Sequence, residues 1–359
     1  MRKIFIYSFL FSIIGLGLQC KSGPTPEELK QLEQQKQQQI LNDFQIKRFD
    51  PYPKKIYTLV EHYPSSNEMR IDLFMPHIKD LRGGYIGVGT DQNLSFIAKA
   101  KSSFAWLMDL NPVIVGVNKI HILFLKQAKS YSEFKALWSR KNKEKSFSLV
   151  KGAFEKNKDW KLLQKSYKVA FRNFSGVPDR LRLLEQMSRR FKLQSFHNLP
   201  EEYTYLRNMA LAGKIQAING DLKGTITMNE IAQSAKKIGT TINILYTSNA
   251  EEYFLFPKNY RDNILRLPTS EKSTMVRTFT TGAKAFGFPE GELFPDTFPF
   301  HYNLQPLENF KKWMLYPTKF NVFGLMRKRS KLVKGLSVQK ASPEETGLKK
   351  SGDISKYAR

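Results

Sequence analysis

The chain has 359 residues, with 58 lysines and arginines against 32 acidic residues, a net charge of +26, and one cysteine. Its length suffices for one large α/β domain or two smaller ones with a real core, and a lone cysteine excludes an intramolecular disulfide. The charge favours phosphate-rich or carboxylate-rich partners, yet no zinc-finger spacing, RNP-type motif or basic zipper accompanies it, so no specific nucleic-acid target is expected.

In chain order, Met1-Arg2-Lys3 is a short positive start, and Ile4 to Leu18 is mainly apolar. A charged start followed by a short apolar run is the order of a secretory signal, and the run falls short of the roughly 20 apolar residues of a spanning helix. Leu16-Gly17-Leu18-Gln19-Cys20 follows. It resembles the lipobox of bacterial lipoproteins, in the relaxed form of spirochaetes, with Gln19 where a small residue is usual. The resemblance implies cleavage after residue 19, a diacylglycerol on Cys20, and a membrane-anchored protein, periplasmic or at the cell surface, on the outer membrane. Residues 20–46 are polar and Gln-rich, suited to a spacer that buries nothing. Anionic lipid, lipopolysaccharide phosphates or host polyanions are the partners this address and charge suggest.

Residues 47–320 are expected to form the folded domain. Ser65-x-x-Glu68 has the form of a capping box and predicts a helix through Leu81, with Ile71, Phe74, Met75 and Ile78 inward. Strands are predicted at Gly84–Gly89, Ser103–Asp109, Lys214–Ile218, Thr240–Tyr246 and Met275–Thr280. Helices are predicted from about Asn93 to Lys101, over much of 112–212, and from Asn229 to Lys237. Strands separated by helices predict a mainly parallel sheet covered on both faces. From residue 321 the chain is basic, and after Ser337 it is expected to be disordered.

Gly87-x-Gly89 lies between a predicted strand and helix, and Asp109 ends the next strand 20 residues after Gly89. Glycines at such a turn let a ligand approach the backbone, and a carboxylate at that distance suits ribose hydroxyls. The segment Gly83-Gly84-Tyr85-Ile86-Gly87-Val88-Gly89-Thr90-Asp91-Gln92-Asn93 resembles a bacterial family whose members carry a close YxGVGPEQN motif. Leu59–Ser65, Asn67-Glu68, Asn219-Gly220-Asp221, Tyr246–Tyr253 and Thr269–Thr278 match the same family, so the likeness covers residues 57–280. It implies a Rossmann-like fold of the S-adenosylmethionine-dependent methyltransferase type, with 112–212 as a helical insertion.

On that likeness, Gly87 and Gly89 would approach the amino-acid end of S-adenosylmethionine and Asp109 the ribose. Asp221 would face the adenine, and Ser248 and Asn249 the acceptor. Tyr85 stands where methyltransferases usually carry an acid. Asp91 replaces their third loop glycine and is expected to set a negative charge beside the helix start. S-adenosylmethionine is also a cytosolic metabolite. These features favour a tethered, non-catalytic binding protein on a methyltransferase-like fold; the other reading is a methyltransferase or another nucleoside-binding enzyme.

Further chemistry is thinner. His62, His77, His121, His197 and His301 show no metal-ligand spacing, and Asp262, Glu290, Glu292 and Asp296 show no pairing. A hydrolase would need Glu61-His62 or Glu251-Glu252 to meet a nucleophile, and Glu251-Glu252 has the simpler reading of a helix start.

Overall fold

The computed structural model describes residues 25–53, 63–280, 299–316 and 320–346. Cys20 with its leader lies outside these residues, as do Glu61, His62, Glu290, Glu292, Asp296 and 347–359. Met1–Ile40 and Leu41–Arg359 are two separate units. Helix α1 (Pro26–Phe44) opens with a reciprocal cap: Thr25 Oγ1 accepts from Glu28 N at 3.3 Å, and the Glu28 carboxylate accepts from Thr25 N at 2.7 Å. The spacer expected to bury nothing ends otherwise. Phe44 is fully buried in the second unit, its ring 5.0 Å from Phe104 and 4.9 Å from Trp106.

The helix predicted from Ser65 to Leu81 is reduced to a 3-10 turn, Ile71–Leu73, and one turn of α2 (Met75–Ile78). Ser65 does not cap: its hydroxyl donates to Ser175 O at 2.8 Å, and Glu68 turns inward. The four apolar positions are nonetheless buried. Strand β1 (Gly84–Val88), helix α3 (Gln92–Ala100) and strand β2 (Phe104–Asp109) follow. Between β2 and the next strand lie α4 (Pro112–Gln127), α5 (Tyr131–Leu137), α6 (Lys143–Phe154), α7 (Trp160–Ala170), α8 (Val177–Phe191) and α9 (Pro200–Leu211). Asn111 starts the first of these by accepting from Val113 N at 3.0 Å ahead of Pro112.

Strand β3 (Ile215–Asn219), helix α10 (Thr227–Lys237), strand β4 (Ile242–Ser248), helix α11 (Lys258–Arg266) and strand β5 (Thr274–Thr280) complete the parallel part. After it come β6 (Phe300–Pro306), α12 (Leu307–Met314), α13 (Val322–Leu325), β7 (Ser330–Val333) and β8 (Leu336–Val338). Order from Ser337 to Thr346 departs from the expected disorder, the rest of that stretch lying outside the described residues: β8 pairs with β6, and Gln339 is buried with its N–H on Leu304 O at 2.8 Å.

The sheet order is β3-β2-β1-β4-β5-β6-β8-β7. β3, β2, β1, β4 and β5 are parallel; β6 is antiparallel to β5, and β7 to β8. The protein is thus an α/β fold with a mostly parallel, Rossmann-like sheet. Tyr85, Leu107, Ile244, Tyr246 and Val276 face one core with residues of α3, α4 and α9. Trp106 points the other way, onto Phe44, whose carbonyl also accepts from Ser234 on α10. At the β3 edge, Gln216 exchanges hydrogen bonds with the backbone of Ile46 at 3.2 and 2.8 Å. The chain crosses from one side of β1 to the other between β3 and β4, so the switch point lies at the carboxyl ends of β1 and β4, where open α/β sheets bind ligands.

Candidate functional site

The loop after β1 is built around Asn93. Its Oδ1 accepts from the Tyr85 hydroxyl at 2.7 Å, while its Nδ2 donates to Thr90 O at 2.9 Å and Val88 O at 3.2 Å. A Cβ at Gly87 would stand 1.8 Å from that Oδ1. Gly87 therefore makes room for a side chain of the protein itself. Gly89 differs: its φ is +89°, which glycine adopts freely, and nothing lies within 4 Å of where its Cβ would be.

Asp109 closes on this loop, with Oδ2 accepting from Gly89 N at 3.1 Å and Oδ1 from Asn111 N at 2.7 Å. Burial pushes its carboxyl up to about 6, against the lowering effect of the Asn111, Gly89 and Leu110 amides. Asp109 as a residue is only partly buried. Asn118 on α4 adds a bond to Gly89 O at 2.8 Å. Gly87, Gly89 and Asp109 are thus brought together at the end of β1.

Asp91 stands at the N-cap of α3, beside the helix start as expected, but its charge is not left open. It is buried, accepts from Ser66 N at 2.8 Å, and lies 2.9 Å from Arg180 Nε on α8. Arg180 also donates to Glu68 O at 2.8 Å and Gln92 Oε1 at 2.5 Å. The charge is neutralised by a buried arginine from the helices between β2 and β3, and no local sequence signal announces it.

At the neighbouring strand ends sits Glu68. Its Oε1 accepts from Tyr246 at 2.7 Å, Ser248 at 2.9 Å and Thr278 at 3.0 Å, and its Oε2 has no partner. Burial raises its pKa, opposed by those three hydroxyls and by Arg180. Ser248 holds this bond in a left-handed backbone, φ +51°, a conformation non-glycine residues adopt only when their surroundings impose it. Asn249 reaches Glu252 Oε2 at 3.3 Å and Thr280 Oγ1 at 3.4 Å. Glu68 carries a signal in the sequence, but it reads as a cap.

Asp221 lies apart, at the end of β3. Its side chain caps Lys223 N at 2.9 Å, and its own N–H donates to Asp50 at 3.2 Å. The Asp50 carboxylate also takes the N–H of Ile226 at 2.9 Å and of Thr227 at 3.4 Å, so it occupies the start of α10 where a ligand anion would otherwise bind. Glu251 is buried against Arg277 at 3.2 Å and accepts from the hydroxyls of Tyr260 at 2.7 Å and Thr247 at 3.2 Å. Among the described residues no group of three or more histidines, cysteines or acids is placed to hold a metal. Clefts of about 380 and 340 Å³ lie elsewhere, the first around Asp72, Lys79, Lys99 and Phe191, the second around Tyr131, Phe196 and His197.

These features define a Rossmann-like α/β protein whose switch-point loops are largely filled by its own side chains. The chain belongs to the family described as Domain of unknown function (DUF7790), which matches residues 63–349. No curated protein was found to match it.

Proposed function

We propose that this chain is a lipid-anchored binding protein of the bacterial envelope, built on a methyltransferase-like domain that does not transfer methyl groups. The observation that carries this reading is Asn93 seated on Gly87. The methionine end of S-adenosylmethionine would need that space, and the α3 start beside it is taken up by the Asp91–Arg180 pair. The residues at this loop therefore do not fit the cofactor. The methyltransferase type is supported by the run β3-β2-β1-β4-β5, with a glycine loop after β1 and an acid closing β2. A fold outlives its chemistry readily.

The anchor rests on the sequence alone: Met1-Arg2-Lys3, the apolar run and Cys20. Among the described residues no helix is long and apolar enough to cross a membrane. The net charge of +26 supports anionic partners, whether lipid, lipopolysaccharide or host polyanion. A second reading, a nucleoside-binding enzyme, is favoured by the open face of Gly89 and the partial exposure of Asp109.

Calorimetric titration with S-adenosylmethionine and its demethylated product separates the two readings. The proposal expects no heat of binding at millimolar ligand; micromolar binding abolished by Asp109→Ala would overturn it. Metabolic labelling with a fatty acid, compared with Cys20→Ala, tests the anchor.

A further inference from the structure

Phe174 is 99% exposed, in the loop Arg172-Asn173-Phe174-Ser175-Gly176 between α7 and α8. A single exposed apolar side chain is ordinary, but a whole phenyl ring standing free at a loop tip is not. Its backbone is left-handed, φ +66°, which a bulky residue adopts at a cost. The ends of the loop are fixed. Ser175 O accepts from Ser65 Oγ at 2.8 Å, Arg172 O accepts from Arg140 at 3.2 Å, and Gly176 O caps α8 through Asp179 N and Arg180 N at 3.1 Å each. The ring is therefore held outward by a rigid base.

The charge around the tip is predominantly positive. Arg172 is in the loop; Arg140 donates to it; Lys143 lies 5.8 Å over the ring of Phe171; Arg182 stands on the first turns of α8. Of the acids at this corner, Asp179 is already bound by Arg140 and Arg182, and Glu144 follows Lys143 in the chain. Two residues before Ser65 in the chain, Tyr63 is also 57% exposed.

We infer that Phe174 is a membrane-inserting tip, which enters the interface of a bilayer while Arg140, Lys143, Arg172 and Arg182 meet anionic lipid phosphates. Ring and cations on one projection match the two layers of that interface, apolar chains beneath a charged surface. A protein partner fits less well. A stable protein interface covers about 800 Å² on each side, and here Asn173 and Ser175 flank the ring, so no flat apolar area surrounds it. The inference deepens the envelope reading proposed above and rests on it for the membrane's presence, while its test does not depend on Cys20.

Full-length protein carrying Phe174→Trp is mixed with phosphatidylcholine vesicles, with and without phosphatidylglycerol, and with lipids bearing a nitroxide near the head group. Its emission is read as the difference from the parent chain. The tip predicts a blue shift and quenching by the nitroxide, both stronger with phosphatidylglycerol and weaker in salt. In a Cys20→Ala background, Phe174→Ala should lower vesicle adsorption by about tenfold. Because the ring is exposed, both variants should keep the parental circular-dichroism melt. A solvent-like tryptophan on bound vesicles, adsorption indifferent to Phe174→Ala, or no adsorption at all would each overturn the inference. So would a self-association removed by Phe174→Ala, which would assign the tip to a second copy. Fatty-acid labelling reports separately on the anchor, so a failed tether and a failed tip are told apart.

Discussion

Arg180 and Asp91 meet at 2.9 Å with both side chains shut off from solvent, although 89 residues separate them in the chain. A buried pair of this kind adds little over two well-packed apolar side chains, but removing one partner strands the other charge, at a cost of about 3–5 kcal/mol. Arg180→Met should destabilise the protein by that amount in urea unfolding. Combining it with Asp91→Asn should recover much of the loss, since no charge is then left unpaired. A double variant as unstable as the single one would show that the arginine acts through Glu68 and Gln92 instead.

Gly87→Ala should cost about 1–3 kcal/mol, the range for forcing extra volume into a packed interior, because the new methyl meets Asn93 Oδ1. Asn93→Ala placed beside it should relieve only part of that penalty, because the new methyl also stands 2.5 Å from the Tyr85 ring. If Gly87 served only a bound ligand, Gly87→Ala would melt like the parent chain, and thermal denaturation decides between the two.

His121 is fully buried between Phe134 and Trp138, and neither ring nitrogen has a partner. Burial lowers its pKa from the ordinary 6.5 to about 4, although Asp91 pulls it upward. Between those values the unfolded chain binds the proton and the folded one does not. Its contribution to stability is therefore intact above pH 6.5 and lost as pH falls towards 4, at up to about 1.4 kcal/mol per pH unit. His121→Leu should flatten this part of the stability profile. An unchanged slope would assign it to His197, whose pKa is also lowered to about 4, or to other groups.

Asp109 acts in the opposite sense. With its carboxyl near 6 when folded and near 3.8 when unfolded, the folded state takes up the proton first, so this group adds stability as pH falls through that window. Carbon-detected titration of the Asp109 carboxyl should give a midpoint near 6. A midpoint near 4 would mean that the loop leaves it open to water.

Phe44→Ala should destabilise the second unit by about 3–5 kcal/mol, as for other buried phenylalanines, since the ring packs on Phe104 and Trp106. The same change at exposed Leu32 should be silent, which equilibrium unfolding of the two variants would reveal.

The parallel half of the sheet was legible because its strands are buried on both faces, so β1, β2 and β4 read as nearly unbroken apolar runs. The C-terminal strands were not. His301, Asn303 and Gln305 alternate along β6 and are buried all the same, with His301 and Asn303 each hydrogen-bonded to Ser337 on the neighbouring strand. Hydropathy sees such a strand as a loop. At the site, Gly87, Gly89 and Asp109 could be picked out because their spacing is local to one β-α-β unit. Glu68 could be seen but not understood, since a cap and a buried acceptor share the same Ser-x-x-Glu pattern. Arg180, Asp50 and Asn118 left no trace, because their partners come from remote segments or the backbone.

The two margins of the sheet are finished differently. At β3 the residues from Gln45 to Asp50 lie along the margin and hold Gly213, Gln216 and Asn219. At the far margin β7 is exposed along its whole length, with Lys331 within it and Lys334 just after it. An outer strand is a template for another copy's strand, and lysines there are a common defence. Among the described residues, only the β7 margin is therefore open to end-on growth, and copies crowded together repel one another there before backbones can pair. High salt is the condition under which that repulsion fades and sheet-to-sheet association would first appear.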